Sequence, residues 1–442
     1  MMFFNQTRAQ GSNGAANWLF LIGLFSQTQI SIGGKIGISE LLMVLCAPLI
    51  FIRDISLFRK DGNLYFLVMI ILWLFGAIFA DWYFDTYFPF SMRGIAVPIT
   101  VFSCVVCLYV LLRKNPDNLK WLLLGYAISG VISIFVFQRG MAGDIAAEQG
   151  ASAAVETVVG YKLFYFNQLM AWLTLPIAGW YLAVRKWYSV PALAFLTAFA
   201  LFIGGRSAFL ITACSLVIIA FAGKTVASAL FLRRHMITVF CVLGILAALA
   251  SFTYKYAAKN GMLGEYEQKK YEMQTKTGTD VWHLLMSGRS EFFVAFFAAI
   301  DSPIIGRGSL ALDEKGYFVK FLSEYGDDSD YQRALKADRI NGMFFIPFHS
   351  HIMTYWMWHG VFALIFWTTT IILAVRTLFS RMHIFMPWYG YFAVTIPYFF
   401  WDVLFSPFGG RVKYSLLWVT FLLVSKFEHD QKRGIVHNYE VR

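Results

Sequence analysis

The chain has 442 residues, of which 58% are hydrophobic and only 14% charged, with a formal net charge of +11. Soluble domains are nearer half apolar and a quarter charged, so this composition excludes an ordinary soluble domain and implies a polytopic helical membrane protein. The basic excess sits in short stretches between apolar runs, which reads as membrane topology rather than nucleic-acid binding.

Apolar runs long enough to approach a bilayer crossing predict about twelve membrane helices, all α, and the short alternating strands of a membrane barrel are not visible. The expected spans are 17–33, 37–52, 64–81, 94–112, 119–137, 161–184, 187–204, 207–222, 236–254, 351–375, 385–401 and 409–426. Residues 1–254 thus hold nine spans, 255–350 form one large loop with short helices, 351–426 hold three spans, and 427–442 form a tail.

The loops alternate in charge. Arg53, Arg59 and Lys60 are expected to follow the second span, and Arg113, Lys114 and Lys120 the fourth. Arg185 and Lys186 follow the sixth, Lys224, Arg233 and Arg234 the eighth, and Arg376 and Arg381 the tenth. Asp81, Asp85, Asp144, Glu148 and Glu156 fall in the loops between. Basic loops stay in the cytoplasm, so both termini are expected inside and the 255–350 loop outside, in the periplasm of a bacterial inner membrane.

Five cysteines, Cys46, Cys104, Cys107, Cys214 and Cys241, all lie in apolar runs. Cys104 and Cys107 have CxxC spacing without a second pair or a nearby His, so they read as small buried hydrophobes. Asp280, Glu291 and Asp301 do not form an evident metal cluster, and Asp328-Ser-Asp330 reads as solvated loop. The aromatic clusters Trp82-Tyr83-Phe84 and Tyr87-Phe88 suit an interfacial belt.

Four arginines break the charge rule by lying at outer ends: Arg93, Arg206, Arg289 and Arg411. Arg206 follows Gly204-Gly205 in a tight turn between apolar runs. An ionisable group at membrane depth marks a ligand or a pair. Asp402 is a second such group, with an Asp402–Arg411 ion pair and a role in substrate binding both open. His349 and His351 stand at the start of the tenth span. Guanidinium groups grip phosphate bidentately, and histidine exchanges protons near neutral pH. Together these groups suit transfer from a lipid diphosphate, with arginines on the leaving group and a histidine on the acceptor hydroxyl, and no metal or cofactor.

Gly205-Arg206-Ser207-Ala208 resembles the short Arg motif of bacterial O-antigen ligases and polymerases. Gly288-Arg289, then Pro303 and Gly306-Arg307-Gly308, resemble that family's Arg, amphipathic helix, Pro and Gly-x-Gly block. His349 with Gly360 eleven residues on resembles its closing motif. The likeness covers about residues 190–415. It departs from the pattern at Ser350, where the family carries Asn, and at Val361-Phe362-Ala363, where a second Gly is missing.

The resemblance implies a membrane glycosyltransferase of the GT-C type that takes its glycan from undecaprenyl diphosphate without a metal. It places the family's essential arginines at Arg206 and Arg289 and its histidine at His349, with His351 a rival. The acceptor it implies is lipid A–core for a ligase or a second lipid-linked repeat unit for a polymerase. An O-linked protein oligosaccharyltransferase is a third choice. A polysaccharide transporter is the alternative from another class, but the repeated halves and broken midplane helices of transporters are not evident.

Overall fold

The structure, a computed structural model, describes residues 13–26, 28–31, 35–135, 189–202, 206–222, 290–325, 339–340, 343–347, 349–378, 389–406, 408 and 411–433, with isolated positions between 241 and 272. The expected spans 161–184 and 236–254 lie outside these, apart from isolated residues. What is described is predominantly helical.

Helix α1 (Asn13–Leu24) is followed by a two-stranded antiparallel hairpin, β1 (Gln29–Ser31) with β2 (Lys35–Gly37), Ile30 facing Ile36. A span over 17–33 was expected; the helix instead stops at Leu24, and the polar Gln29 and Ser31 pair across the hairpin. Then come α2 (Ile38–Lys60), α3 (Leu64–Tyr83), α4 (Phe88–Lys114) and α5 (Leu119–Phe135). Helix α2 is launched by Glu40, whose carboxylate accepts from the Gly37 amide at 3.1 Å. It runs eight residues beyond expectation, so Arg53, Arg59 and Lys60 belong to the helix itself. Arg59 and Lys60 sit where cations complement the helix dipole. Helix α4 begins six residues early with Pro89 in its first turn, which carries Arg93 into the helix.

Among the described residues, α2, α3 and α4 are long and apolar enough to cross a membrane, and several shorter apolar helices accompany them. The protein is membrane-embedded. The short links 61–63 and 84–87 reverse the chain between α2, α3 and α4, and α4 packs against both α2 and α3. Helices α1 and α5 cross where Gly23 meets Leu122 and Gly125 meets Phe20, backbone against backbone, an approach any Cβ would block.

After α5 the described elements are α6 (Ser189–Phe202), α7 (Arg206–Ala222), α8 (Ser290–Ile300) and α9 (Tyr317–Tyr325). A short ladder follows, β3 (Arg339–Ile340) with β4 (Met343–Phe344). Last come α10 (His351–His359), α11 (Val361–Arg376), α12 (Tyr389–Phe405) and α13 (Arg411–Lys432). One span over 351–375 was expected. It is instead two helices, broken at Gly360, whose φ of 69° and ψ of −154° fit no helix. Helix α13 continues to Lys432, through the stretch from Glu428 expected as tail.

An aromatic core ties the bundle. Trp73 of α3 stacks on Phe366 at 4.8 Å, and Trp367 lies 5.6 Å from Trp418, all fully buried. At one end of α3, Asp61 accepts from Tyr109 at 2.6 Å and from both Arg113 nitrogens at 2.5 and 2.9 Å. Asn63 donates to Tyr109 at 2.9 Å and to the Leu422 carbonyl at 3.0 Å, drawing α13 into the same lock. The other end of α3 carries Asp81, which meets Ser309. The exposed rings of Trp82, Tyr83, Tyr87 and Phe88 surround that end, as a belt at a membrane surface would.

Candidate active site

Helix α8 buries Val294, Ala295, Ala298 and Ala299, a face made mostly of alanine, and packs on α10. Small residues let the two helices come close. Phe296 meets Trp356 of α10, Phe293 stacks on Phe321 of α9, and Phe292 meets Phe405 of α12. This packing fixes the first turn of α8 beside the start of α10. Glu291 Oε1 there lies 3.0 Å from His349 Nδ1, and both side chains remain substantially open to solvent, 38% and 45% exposed. A carboxylate beside Nδ1 favours the tautomer protonated there, which leaves the lone pair on Nε2.

Ser350 caps α10: its hydroxyl accepts from the Met353 amide at 3.3 Å and donates to the Val403 carbonyl of α12 at 3.0 Å. The cap separates the two histidines. His349 stays outside, whereas His351 is fully buried among the rings of Trp367, Phe408 and Tyr414, at 5.1, 5.0 and 4.9 Å.

The segment after α8 docks on the α10–α11 break. The Arg307 amide donates to the Met357 carbonyl at 2.7 Å, Gly308 to Trp358 at 3.0 Å, and Val361 returns a bond to Ile304 at 2.9 Å. Trp356 Nε1 donates to the Pro303 carbonyl at 2.9 Å. Gly306 and Gly360 both hold positive φ, 89° and 69°, and a Cβ on either would strike the other segment's backbone. The structure therefore brings Gly360 to the Pro303, Gly306 and Gly308 segment, more than 50 residues earlier in the chain.

Beneath that loop runs a buried polar chain. Trp73 Nε1 donates to His359 Nδ1 at 2.9 Å, so the neutral ring carries its proton on Nε2, which faces Ser309 Oγ at 3.1 Å. Ser309 gives both its hydroxyl and its amide to Asp81, at 2.9 and 2.6 Å. The serine proton is committed to the carboxylate, so the chain is a clamp on the loop rather than a nucleophile with its base.

On the exposed side of the loop, Lys315 lies 2.7 Å from Asp301 and Tyr317 hydrogen-bonds the same oxygen. These bonds hold the Asp301 carboxyl below the usual carboxylate range. Arg307 approaches Tyr317 with a nitrogen 3.3 Å from its hydroxyl and its guanidinium 5.5 Å from the ring centre. Asp313 caps α9, accepting from the amides of Tyr317 and Phe318 at 2.7 and 2.8 Å.

The expected Asp402–Arg411 pair is not what forms. Asp402 accepts from Lys413 at 3.1 Å, from Tyr414 at 2.6 Å and from Ser406 at 2.9 Å. Arg411 binds Glu40 of α2 at 3.1 Å. The reason is helical spacing: Asp402 lies in the last turn of α12, and residues 413 and 414 fall within the first turn of α13 that faces it. Arg411 begins α13 and is free to reach α2. Arg206 is the first residue of α7. Arg93 is exposed on the first turns of α4. Arg289 lies outside the described residues, directly before α8 in the chain. Cys104 and Cys107 are buried free thiols, while Cys46 and Cys241 are exposed.

Sequence reasoning missed Glu291 as a partner for His349 and missed Ser309 and His359, and it placed Asp81 in a loop, whereas Asp81 is buried in the last turn of α3, where it binds Ser309. The partners are separated by 58, 228 and 50 residues in the chain, so no local pattern signals them. Comparison with protein-family models and with curated proteins finds no match for this chain.

Proposed function

We propose that this protein is a membrane glycosyltransferase of the O-antigen ligase and polymerase type. It moves a glycan from undecaprenyl diphosphate to an acceptor hydroxyl at the periplasmic face of a bacterial inner membrane. The observation that carries the reading is the solvent-open His349 with a carboxylate on its Nδ1. A histidine with a carboxylate on Nδ1 is suited to act as a general base.

In this reading His349 Nε2 takes the proton of the acceptor hydroxyl, and the acceptor oxygen forms a bond to the anomeric carbon of the glycan. The bond from that carbon to the diphosphate breaks, and its electron pair leaves with undecaprenyl diphosphate. Arg206 and Arg289 bind the diphosphate, whose negative charge grows as it departs, a task suited to fixed guanidinium forks. Arg93, Arg411 and Asp402, at the same end of the bundle, belong to the substrate-facing rim. Twelve spans, an outward 255–350 loop and cytoplasmic termini are part of the same proposal. Lipid A–core is the proposed acceptor, as for a ligase.

The test is a strain lacking the gene. Glycan polymer accumulating on undecaprenyl diphosphate supports a ligase. Single repeat units on lipid A–core make the protein a polymerase. An unchanged glycan profile contradicts the reading.

A further inference from the structure

Helix α8 is anchored at both of its ends to the same end of the bundle. The link 61–63 reverses the chain, so α3 finishes at Tyr83 on the side where α2 begins. Helix α13 starts on that side too, since Arg411 binds Glu40 in the first turn of α2. The last turn of α12 reaches it as well, because Asp402 binds Lys413 and Tyr414. Phe292, in the first turn of α8, meets Phe405, the last residue of α12. Beyond the other end of α8, Ser309 binds Asp81 in the last turn of α3, and a Cβ on Gly308 would strike Thr86 and approach Phe84. The 11-residue helix, about 16 Å long, therefore lies across the end of the bundle and does not run through it.

That end lies at the edge of the bilayer. The 20 residues of α3 span about 30 Å, the thickness of the hydrocarbon layer, so the chain leaves the acyl region near Tyr83. The exposed rings of Trp82 and Tyr83 suit that boundary. After Glu291, α8 carries no polar side chain at all. Val294, Ala295, Ala298 and Ala299 are buried. At about 3.6 residues per turn, Phe297 and Ile300 fall on the other side of the helix. Helix α9 covers Phe293 through Phe321 but leaves Phe297 and Ile300 44% and 49% exposed, and Ile304, just beyond the helix, is 71% exposed. Asp301, between them in the chain, is paired with Lys315 at 2.7 Å.

We propose that α8 is an interfacial helix, with Phe297, Ile300 and Ile304 immersed in the acyl chains of the leaflet at the Asp81 end. The partner is the hydrocarbon of ordinary bilayer phospholipids. Three things favour it over a protein partner: both anchors of α8 sit where a membrane-crossing helix leaves the acyl region, the exposed aromatic belt lies at the same end, and the exposed side chains are purely apolar, with no polar group among them to give a protein partner its specificity. The inference needs only the membrane-embedded bundle and stands apart from the proposed reaction.

The test is spin labelling of the full-length protein, its native cysteines replaced by serine, in vesicles of phosphatidylethanolamine and phosphatidylglycerol. Nitroxides are placed at Phe297→Cys, Ile300→Cys and Ile304→Cys, with Phe75→Cys on the exposed face of α3 as lipid reference and the exposed Glu314→Cys as water reference. Collision with oxygen is compared with collision with a water-soluble nickel chelate. The oxygen-to-nickel ratio at the three sites is expected to match Phe75→Cys and to exceed Glu314→Cys several-fold. A ratio equal to that of Glu314→Cys would place the side chains in water and overturn the proposal. Exclusion of both reagents would mean that a protein partner or a second copy covers them, and would overturn it equally. If the serine-substituted protein does not fold, the wild type is irradiated in vesicles containing a phospholipid with a diazirine in its acyl chain. Adducts within 297–304 are then expected beside those on α3, and adducts on α3 with none in 297–304 would overturn the proposal.

Discussion

Glu291 and His349 lie 58 residues apart in the chain, yet Oε1 of one stands 3.0 Å from Nδ1 of the other at the solvent-open end of two packed helices. The alanine-lined face of α8 makes that approach possible. If Glu291 orients the imidazole, Glu291→Gln removes the charge on Nδ1 while keeping the shape. Glycan transfer is expected to fall about 10- to 100-fold, a part of what a positioned base supplies. A measured rate equal to wild type would assign Glu291 a packing role only.

Gly360 holds the junction on which the loop docks. Its backbone lies in a region almost confined to glycine, and a Cβ there would collide with the carbonyl of Ile304. Gly360→Ala is expected to cost about 1–3 kcal/mol of strain, on top of the clash. Limited proteolysis should then cut within 301–316 faster in the variant. Cleavage at the wild-type rate would mean that the docking tolerates a side chain.

Much of this architecture was legible in the sequence. Hydropathy marked α3, α6 and α7 to within two residues at each end, because long apolar runs leave little choice of element, while α4 starts and α13 ends six residues beyond expectation. The glycines at 306, 308 and 360 were marked by a family resemblance, and their positive φ explains why glycine stands there. Hydropathy alone did not reveal the α10–α11 break, since the residues on both sides of Gly360 are predominantly apolar. Nor could it pair Asp402 with Lys413 and Tyr414, or Arg411 with Glu40, because such choices depend on how helix ends face one another. The Trp73–His359–Ser309–Asp81 chain was hidden for the same reason, its members being scattered over three segments.

That chain makes a prediction of its own. Asp81 accepts two hydrogen bonds from Ser309, and an amide in its place would turn a donor towards a donor. Asp81→Asn is expected to destabilise the protein by about 1–3 kcal/mol, the cost of leaving a buried polar group unsatisfied. Ser309→Ala should cost less, since it keeps the amide bond. Thermal midpoints in detergent decide, and a larger loss for Ser309→Ala than for Asp81→Asn contradicts the assignment of the carboxylate as the anchor.

The exposed Asp301 cluster gives a pH dependence. Hydrogen bonds from Lys315 and then Tyr317 depress the folded pKa of Asp301 below the ordinary carboxylate value of about 3.9. A depressed folded pKa means stabilisation that is present above the unfolded value and lost as pH falls through the folded one. The midpoint difference between wild type and Asp301→Asn should therefore be constant from neutral pH down to the ordinary carboxylate range, then close on further acidification. A difference that grew as pH fell would have the wrong sign.

The central claim is that this chain transfers a glycan with His349 as base, and it is tested most directly by in vitro transfer from an undecaprenyl-diphosphate-linked donor. Purified wild type, His349→Ala and His351→Ala would be compared at equal folded concentration. The account predicts turnover by wild type, a loss of about 10²-fold or more in His349→Ala, and measurable activity in His351→Ala, whose ring packs against Trp367, Phe408 and Tyr414. Full activity in His349→Ala beside an inactive, folded His351→Ala would contradict it.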